Sequence, residues 1–296
     1  MIRAIDSALV RWAADDAIAC VVLQSSTDKA FCAGGDVRSL RSAVVEQPGV
    51  VPNPQALAFF AEEYRLDHRI HTYAKPLLVW GGGIVMGGGL GLMAGASHRV
   101  VTESTRIAMP EITIGLFPDV GGSWFLGRMP GRSGLFLGLT GAPMNAADAL
   151  FAGLGDYFLR QEERAMVLDA LALAQWQASP LANHQQLSRL LRGFSAPTPM
   201  LPVSEVRANF DAIAALTQAP TLPEVVAAIA AYDGDSAWLQ KAAHTLGKGA
   251  PSSAALVWAM RERTLHMSLA QVFQLELIVA VQCCATRTSA KACAPC

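Results

Sequence analysis

The chain has 296 residues, of which 52% are apolar and 16% are charged. This composition excludes an intrinsically disordered chain, because such a chain buries too little apolar surface to offset the entropy lost on ordering. Lys and Arg number 23 against 24 for Asp and Glu, so the formal net charge is −1. We therefore expect a small-molecule partner and no nucleic acid, since nucleic acids are bound through excess positive charge.

The first predicted element is a helix over residues 1–14, where apolar residues recur at helical spacing. Arg3, Asp6 and Arg11 lie among those apolar residues, so the segment lacks the uninterrupted apolar stretch of a secretory signal. We therefore expect a cytoplasmic protein.

Residues 77–96 form twenty consecutive uncharged positions, about the length of a membrane-spanning helix. Eight of these positions are glycine, and each glycine costs a helix interior about 1 kcal/mol relative to alanine. A strand, a glycine loop and the start of a helix fit this segment better than a membrane span, and we expect no membrane partner.

Predicted strands are confined to the first part of the chain, where they alternate with predicted helices. The strands are predicted at 19–23, 77–80, 98–102, 106–109 and 155–159. A turn-rich loop is predicted over 25–36, and further helices over 54–73, 87–96 and 121–139. After residue 159 the predicted segments are all helical, at 162–177, 187–191, 204–216, 223–231, 237–246, 252–263 and 268–284. This distribution predicts an α/β core followed by helices.

We expect three parts: an α/β core at 1–195, a helical region at 196–284 and an atypical tail at 285–296. The proline-rich segment 196–202 is predicted to be a linker. In the tail, Cys293 and Cys296 have the spacing of half a zinc site, but no second such pair and no histidine lies nearby. We therefore predict no bound metal.

Two glycine loops are the first candidate for chemistry. Gly34 and Gly35 come after the strand at 19–23, and Gly87–Gly89 come after the strand at 77–80. Glycine leaves the backbone bare, so two such loops could supply the paired N–H donors of an oxyanion hole. The spacing alone favours the alternative, in which these glycines only make tight turns and close helix–strand contacts. The glycine patterns typical of dinucleotide-binding and phosphate-binding loops are absent.

Three carboxylates are the second candidate. Glu111 and Asp119 lie among apolar residues, where desolvation raises the pKa of a carboxyl and suits it to acid, base or nucleophilic chemistry. The alternatives are a capping or surface role for Glu111 and an N-cap role for Asp119 before a helix at Val120. Glu63 interrupts the apolar stripe of the helix at 54–73, so it either is buried or lies at the solvated edge of that stripe.

Together these motifs resemble the enoyl-CoA hydratase/isomerase (crotonase) superfamily. The resembling blocks are 29–36, 59–64, 86–92, 108–122 and 251–253. The block ending at Gly122, which contains both Glu111 and Asp119, is the most specific of them.

The resemblance implies a crotonase-like spiral of ββα turns with C-terminal helices, and an acyl-CoA thioester as substrate. The backbone N–H groups of Gly35 and Gly88 would bind the thioester oxygen. Glu111 would be the catalytic carboxylate, with Asp119 as its acidic partner, and Glu63 would bind a hydroxyl of the acyl group. The residues implied to contact the substrate are Cys32, Ala33, Gly34, Asp36, Glu63, Gly88, Glu111 and Asp119.

The second position after the glycine triplet 87–89 bears on the reaction type. Hydratases of the resembled family usually have a second glutamate there, whereas this chain has Gly91. Hydrolysis is therefore favoured over hydration. The resemblance implies a short branched hydroxyacyl-CoA as the substrate, 3-hydroxyisobutyryl-CoA in valine catabolism. The alternatives are an enoyl-CoA hydratase or isomerase acting on another acyl-CoA, and an inactive acyl-CoA-binding protein. No cofactor is expected apart from the CoA of the substrate, and the chain could form a homo-oligomer.

Both ends depart from the resembled family. Its members usually have a β-hairpin before the helix that begins here at Met1, so we expect a late start site or a truncated chain. The tail at 285–296 is expected to derive from a shifted reading frame.

Overall fold

The computed structural model describes residues 1–47, 50–197 and 200–284. The tail at 285–296 and two residues of the expected linker, 198 and 199, lie outside the described residues. The strands are β1 (Val21–Leu23), β2 (Ala30–Cys32), β3 (Leu77–Trp80), β4 (Ile84–Met86), β5 (His98–Val101), β6 (Arg106–Ala108) and β7 (Tyr157–Phe158).

The helices of the first half are α1 (Ile2–Ala13), α2 (Val37–Glu46), α3 (Pro54–His71), α4 (Gly88–Ala94), α5 (Gly122–Phe125), α6 (Ser133–Thr140) and α7 (Ala146–Phe151). Those that follow are α8 (Arg164–Leu173), α9 (Pro180–Phe194), α10 (Glu205–Ala208), α11 (Phe210–Thr217), α12 (Leu222–Ala230), α13 (Ala237–Lys248), α14 (Pro251–Thr264) and α15 (Leu269–Cys283). Short 3-10 helices cover Glu111–Ile114, Leu126–Arg128 and Gln161–Glu163.

Two parallel sheets form because the chain repeats the same path. One sheet has the order β1-β3-β5-β7 and the other the order β2-β4-β6. Each pass adds a strand to the first sheet and the next strand to the second, and helices follow both β2 and β4. This arrangement confirms the α/β class and the spiral of ββα turns. It also brings the residues that follow β2 and β4 side by side, because these two strands pair in parallel.

The predicted strands of the first sheet are confirmed, and β3 has the predicted bounds. Its four residues are all buried, as expected for a parallel strand covered on both faces. Strands β2 and β4 lie where a turn-rich loop and a glycine loop are predicted, so neither strand is predicted from the sequence. Both strands are three residues long and flanked by glycine or turn residues, so neither shows a periodic pattern.

The helix predicted over 121–139 is interrupted. It forms α5, then the 3-10 helix Leu126–Arg128, and finally α6. Pro130 explains the interruption, because proline lacks a backbone N–H and disfavours a helical residue before it. Met129 accordingly has an extended backbone.

Helices cover both sides of the first sheet. Residues of α8 and α9 pack with Leu78, Trp80 and Val100 in one apolar cluster, and α3 belongs to the main core. The last helix, α15, packs against α3. No helix among the described residues combines the length and apolar character needed to cross a membrane.

Helix α4 lies directly on β2, and Gly89 makes this contact possible. A Cβ at Gly89 would overlap the carbonyl oxygen of Cys32. We expect Gly89→Ala to lower the free energy of unfolding by about 1–3 kcal/mol, the usual cost of overpacking. The measurement is urea unfolding followed by circular dichroism.

The matched control is Gly193→Ala in α9, where a Cβ meets no atom within 4 Å. This change should raise stability by roughly 0.5–1 kcal/mol, the advantage of alanine over glycine in a helix. Equal stabilities for the two variants would show that α4 does not depend on the contact with β2.

Candidate active site

A cleft opens where the second sheet meets α3. Its wall includes both glycine loops, part of α3 and the segment that contains Glu111 and Asp119. The lining residues are Ala33, Gly34, Gly35, Val37, Leu40, Phe59, Phe60, Glu63, Met86, Gly87, Gly88, Pro110, Glu111, Ile114, Leu116, Asp119 and Val120.

The two glycine loops are in contact with each other. Gly34 and Gly87 have φ angles of +107° and +49°, which L side chains rarely adopt, so the turns require glycine. A Cβ at Gly88 would lie 3.6 Å from the amide nitrogen of Gly35. Neither the Gly35 nor the Gly88 amide donates a hydrogen bond to an acceptor within the described ranges. Both N–H groups therefore remain available to a ligand.

Glu63 and Glu111 lie beside these amides and are 7% and 5% exposed. A Cβ at Gly88 would contact Oε1 of Glu63, and a Cβ at Gly87 would lie 3.0 Å from Oε1 of Glu111. Oε2 of Glu111 is buried and has no hydrogen-bond partner among the described residues. The solvated positions considered for these two residues are therefore wrong: both carboxyls line the cleft.

Asp119 is oriented by a hydrogen bond from α3. The Tyr64 hydroxyl donates to Oδ2 of Asp119 at 2.5 Å, and both residues are buried. The N-cap role considered for Asp119 is wrong, because α5 begins at Gly122 and its N-cap is Gly121. The carboxyl of Asp119 instead belongs to the wall of the cleft.

Burial controls the protonation of these carboxyls. Desolvation raises the pKa of Asp119 to about 6, and the hydrogen bond from Tyr64 opposes that rise. Desolvation, followed by the charge of Asp119, raises the pKa of Glu111 well above its usual value. The same two causes raise the pKa of Glu63. Three carboxyls so close together cannot all ionise easily near neutral pH, so the site can both hold and accept protons.

Four predicted contacts remain to be placed. Ala33 and Gly34 line the cleft, whereas Cys32 and Asp36 do not. The Asp36 carboxylate caps α2 by accepting hydrogen bonds from the Ser39 amide at 3.0 Å and the Ser39 hydroxyl at 2.6 Å. Cys32 is half-buried at the end of β2.

Sequence reasoning assigned no role to Tyr64, Asp67 or Glu276. Asp67 follows Glu63 by four residues, so helical spacing puts both on one face of α3 and could have revealed it. Glu276 is fully buried on α15 and accepts hydrogen bonds from the amides of Gly121 and Ser123 at 2.8 and 2.9 Å. No local sequence pattern predicts a contact between residues that are 155 positions apart.

Asp67 and Val120 occupy the space beside Gly91. A Cβ at Gly91 would lie 3.0 Å from Oδ2 of Asp67 and 2.6 Å from Cβ of Val120. There is no room at position 91 for an acidic side chain.

Among the described residues, no group of three or more His, Cys, Asp or Glu side chains is arranged to hold a metal ion.

The family model described as enoyl-CoA hydratase/isomerase matches residues 1–292. A relative from Danio rerio named "3-hydroxyisobutyryl-CoA hydrolase, mitochondrial" is 37% identical over 96% of this chain and 72% of its own length. A Neurospora crassa relative named "Small ribosomal subunit protein mS47" is 42% identical over 58% of this chain and 34% of its own length. The crystal structure of a carnitinyl-CoA dehydratase from Mycobacterium thermoresistibile has a TM-score of 0.87 at 28% identity, covering 98% of this chain and 80% of that one.

The expectation of a cytoplasmic protein is wrong, because the hydrolase relatives that match nearly the whole chain are named as mitochondrial. The expectation rested on the charged residues among the first twelve. Those charged residues argue only against a secretory signal, whose composition differs from that of a mitochondrial transit peptide.

The hydroxyl of Tyr64 stabilises the ionised form of Asp119, so Tyr64→Phe should raise the pKa of Asp119 above about 6. The measurement is ¹³C NMR titration of the Asp119 carboxyl between pH 4 and 9. Tyr73→Phe is the matched control, because the Tyr73 hydroxyl donates to the backbone oxygen of Leu9 at 2.9 Å. The same titration midpoint in both variants would contradict the assignment.

Asp67 is completely buried, and neither carboxyl oxygen has a hydrogen-bond partner among the described residues. Burial, followed by the charge of Glu63, raises the pKa of Asp67. Above the unfolded-state pKa of about 3.9, the native protein therefore retains a proton that the unfolded chain loses. Stability must fall as pH rises through the interval between the two pKa values.

In Asp67→Asn, unfolding no longer releases a proton from position 67. We expect its stability relative to wild type to increase with pH, by at most about 1.4 kcal/mol per pH unit. Urea unfolding from pH 5 to 8 measures the trend, with Asp169→Asn on the exposed side of α8 as the control. Parallel stability curves for wild type and Asp67→Asn would show that Asp67 is not held protonated.

Proposed function

This chain belongs to the enoyl-CoA hydratase/isomerase family, and we propose that it hydrolyses 3-hydroxyisobutyryl-CoA to 3-hydroxyisobutyrate and CoA. The observation that carries the proposal is a cleft in which the amides of Gly35 and Gly88 adjoin the buried carboxyl of Glu111. Neither amide donates a hydrogen bond to another described residue. The relative from Danio rerio that bears this activity in its name supports the choice of substrate. Such a reaction belongs to valine degradation.

The amides of Gly35 and Gly88 are proposed to bind the thioester oxygen. Both N–H groups lie in the cleft wall and are free of other acceptors within the described ranges. An oxyanion that forms at this oxygen would receive both hydrogen bonds in a partly dehydrated site, where each is strong.

The reaction is proposed to start from the protonation state in which Glu111 is ionised and Asp119 holds a proton. Glu111 then either attacks the thioester carbon itself or activates a water molecule that attacks it. In both routes a C–O bond forms, the C–S bond breaks and the sulfur leaves as thiolate. In the direct route a water molecule then cleaves the mixed anhydride between the acyl group and Glu111, which releases 3-hydroxyisobutyrate and restores the Glu111 carboxylate. Asp119 assists by supplying the proton that converts this thiolate to the free CoA thiol. Its pKa of about 6 lets it give up and regain a proton near neutral pH. No cofactor is required apart from the CoA of the substrate.

Glu63 is proposed to bind the hydroxyl of the acyl group. Its carboxyl lies against Gly88, next to the amide that would hold the thioester oxygen. Phe59, Phe60 and Leu116 supply an apolar wall for the methyl branch. A ligand without the hydroxyl would leave the buried Glu63 carboxyl without a hydrogen-bond partner. This penalty would make the site strongly selective for hydroxyacyl groups.

Hydration, the main alternative, requires a second acid that the site does not contain at position 91. Asp67 and Val120 fill that space, and neither oxygen of Asp67 reaches the cleft wall. An inactive binding protein is the other alternative. The ribosomal protein from Neurospora crassa matches over only 34% of its length, so its name says nothing about an assembly role for this chain.

Glu111→Gln should lower thioester hydrolysis by about 10²- to 10⁴-fold, because the amide can neither attack the carbonyl carbon nor accept a proton from water. The measurement is release of free thiol from 3-hydroxyisobutyryl-CoA. Glu62→Gln is the matched control, since Glu62 pairs with Arg3 at the surface at 2.7 Å.

Wild-type activity in Glu111→Gln would remove Glu111 from the mechanism. A wild-type protein that binds 3-hydroxyisobutyryl-CoA but releases no thiol from it or from other short branched acyl-CoAs would support the inactive binding protein instead.

A further inference from the structure

The turn that contains Asp119 is strained and held from two sides. Val120 has a φ of +51° and Gly121 a φ of +85°. A β-branched residue rarely adopts the left-handed region, so this conformation persists only where surrounding contacts impose it. One contact is the Tyr64 hydroxyl, which binds the Asp119 carboxylate from α3. The other comes from α15.

Glu276 forms hydrogen bonds with the backbone of the residues that follow Val120. Its Oε2 accepts from the Gly121 amide at 2.8 Å and its Oε1 from the Ser123 amide at 2.9 Å. The side chain is fully buried and is absent from the cleft wall. Both oxygens bind backbone groups on either side of Gly122, so they set the direction in which the chain leaves Asp119.

We propose that Glu276 is a positioning residue, which holds the 119–123 turn in its strained form and thereby fixes the Asp119 carboxyl in the active site. The inference rests on the proposed function for its effect on catalysis. Because α15 packs against α3, which carries Tyr64, one helix pair holds both ends of the turn.

The first test is Glu276→Gln. The amide keeps one acceptor oxygen but turns an NH₂ group toward one of the two backbone N–H donors, so one hydrogen bond is lost. We expect kcat for thiol release to fall by about 10- to 100-fold with little change in KM, as for a group displaced from its reacting geometry. Glu262→Gln, exposed on α14, is the control and should retain wild-type kinetics.

The second test separates positioning from a general structural role. If Glu276 acts through Asp119, Glu276→Gln should cost little or nothing further in an Asp119→Asn background. An equal loss of kcat in both backgrounds would overturn the proposal, because it would show an effect that does not pass through Asp119.

Hydrogen–deuterium exchange supplies a readout that is independent of activity. Glu276→Gln should speed amide exchange in 119–123 while exchange in β3 stays unchanged. Should the Gln variant not fold, Glu276→Asp, which keeps the charge but shortens the side chain, takes its place. Unchanged exchange in 119–123 would overturn the inference. A wild-type protein that hydrolyses no acyl-CoA would refute the proposed function alone, leaving exchange to decide the role of Glu276.

Discussion

The main constraint on this molecule is the cost of placing several carboxyls in one poorly solvated region. Glu63, Glu111 and Asp119 share a cleft, and Asp67 and Glu276 are buried behind it. Charges brought together in a low dielectric repel strongly, so the group can hold only part of its full negative charge near neutral pH. The protons that the carboxyls retain can take part in acid–base chemistry at the site. The carboxyls retain them only because their ionised forms are destabilised by burial and by one another.

The two-sheet topology makes this cluster possible. Because β2 and β4 pair in parallel, the glycine turns that follow them meet at one edge of the sheet. The chain then passes through β6 and returns to that edge with Glu111. The two glycine turns and Glu111 therefore come from three successive passes of the spiral, and α3 closes the cleft with Phe59, Phe60 and Glu63.

Much of this could be predicted from residues close together in sequence. The run Leu77–Trp80 is buried on both faces and has an unambiguous pattern. Glu111 and Asp119 stand out because they are acids among apolar residues. The strands β2 and β4 could not be predicted, because three residues beside glycine carry no periodicity. The hydrogen bonds that Tyr64 and Glu276 make with the turn at Asp119 could not be predicted either, because they depend on which helices pack together.

The position of Glu276 near the end of the described chain has a consequence for biosynthesis. Ribosomes extend a protein from its N-terminus, and early segments can begin to fold before later ones emerge. Strands β1 to β7 and the residues of the cleft wall are synthesised well before α15 leaves the exit tunnel. A nascent chain would thus acquire its two sheets first, and the contact that Glu276 makes with the 119–123 turn only after α15 has been made.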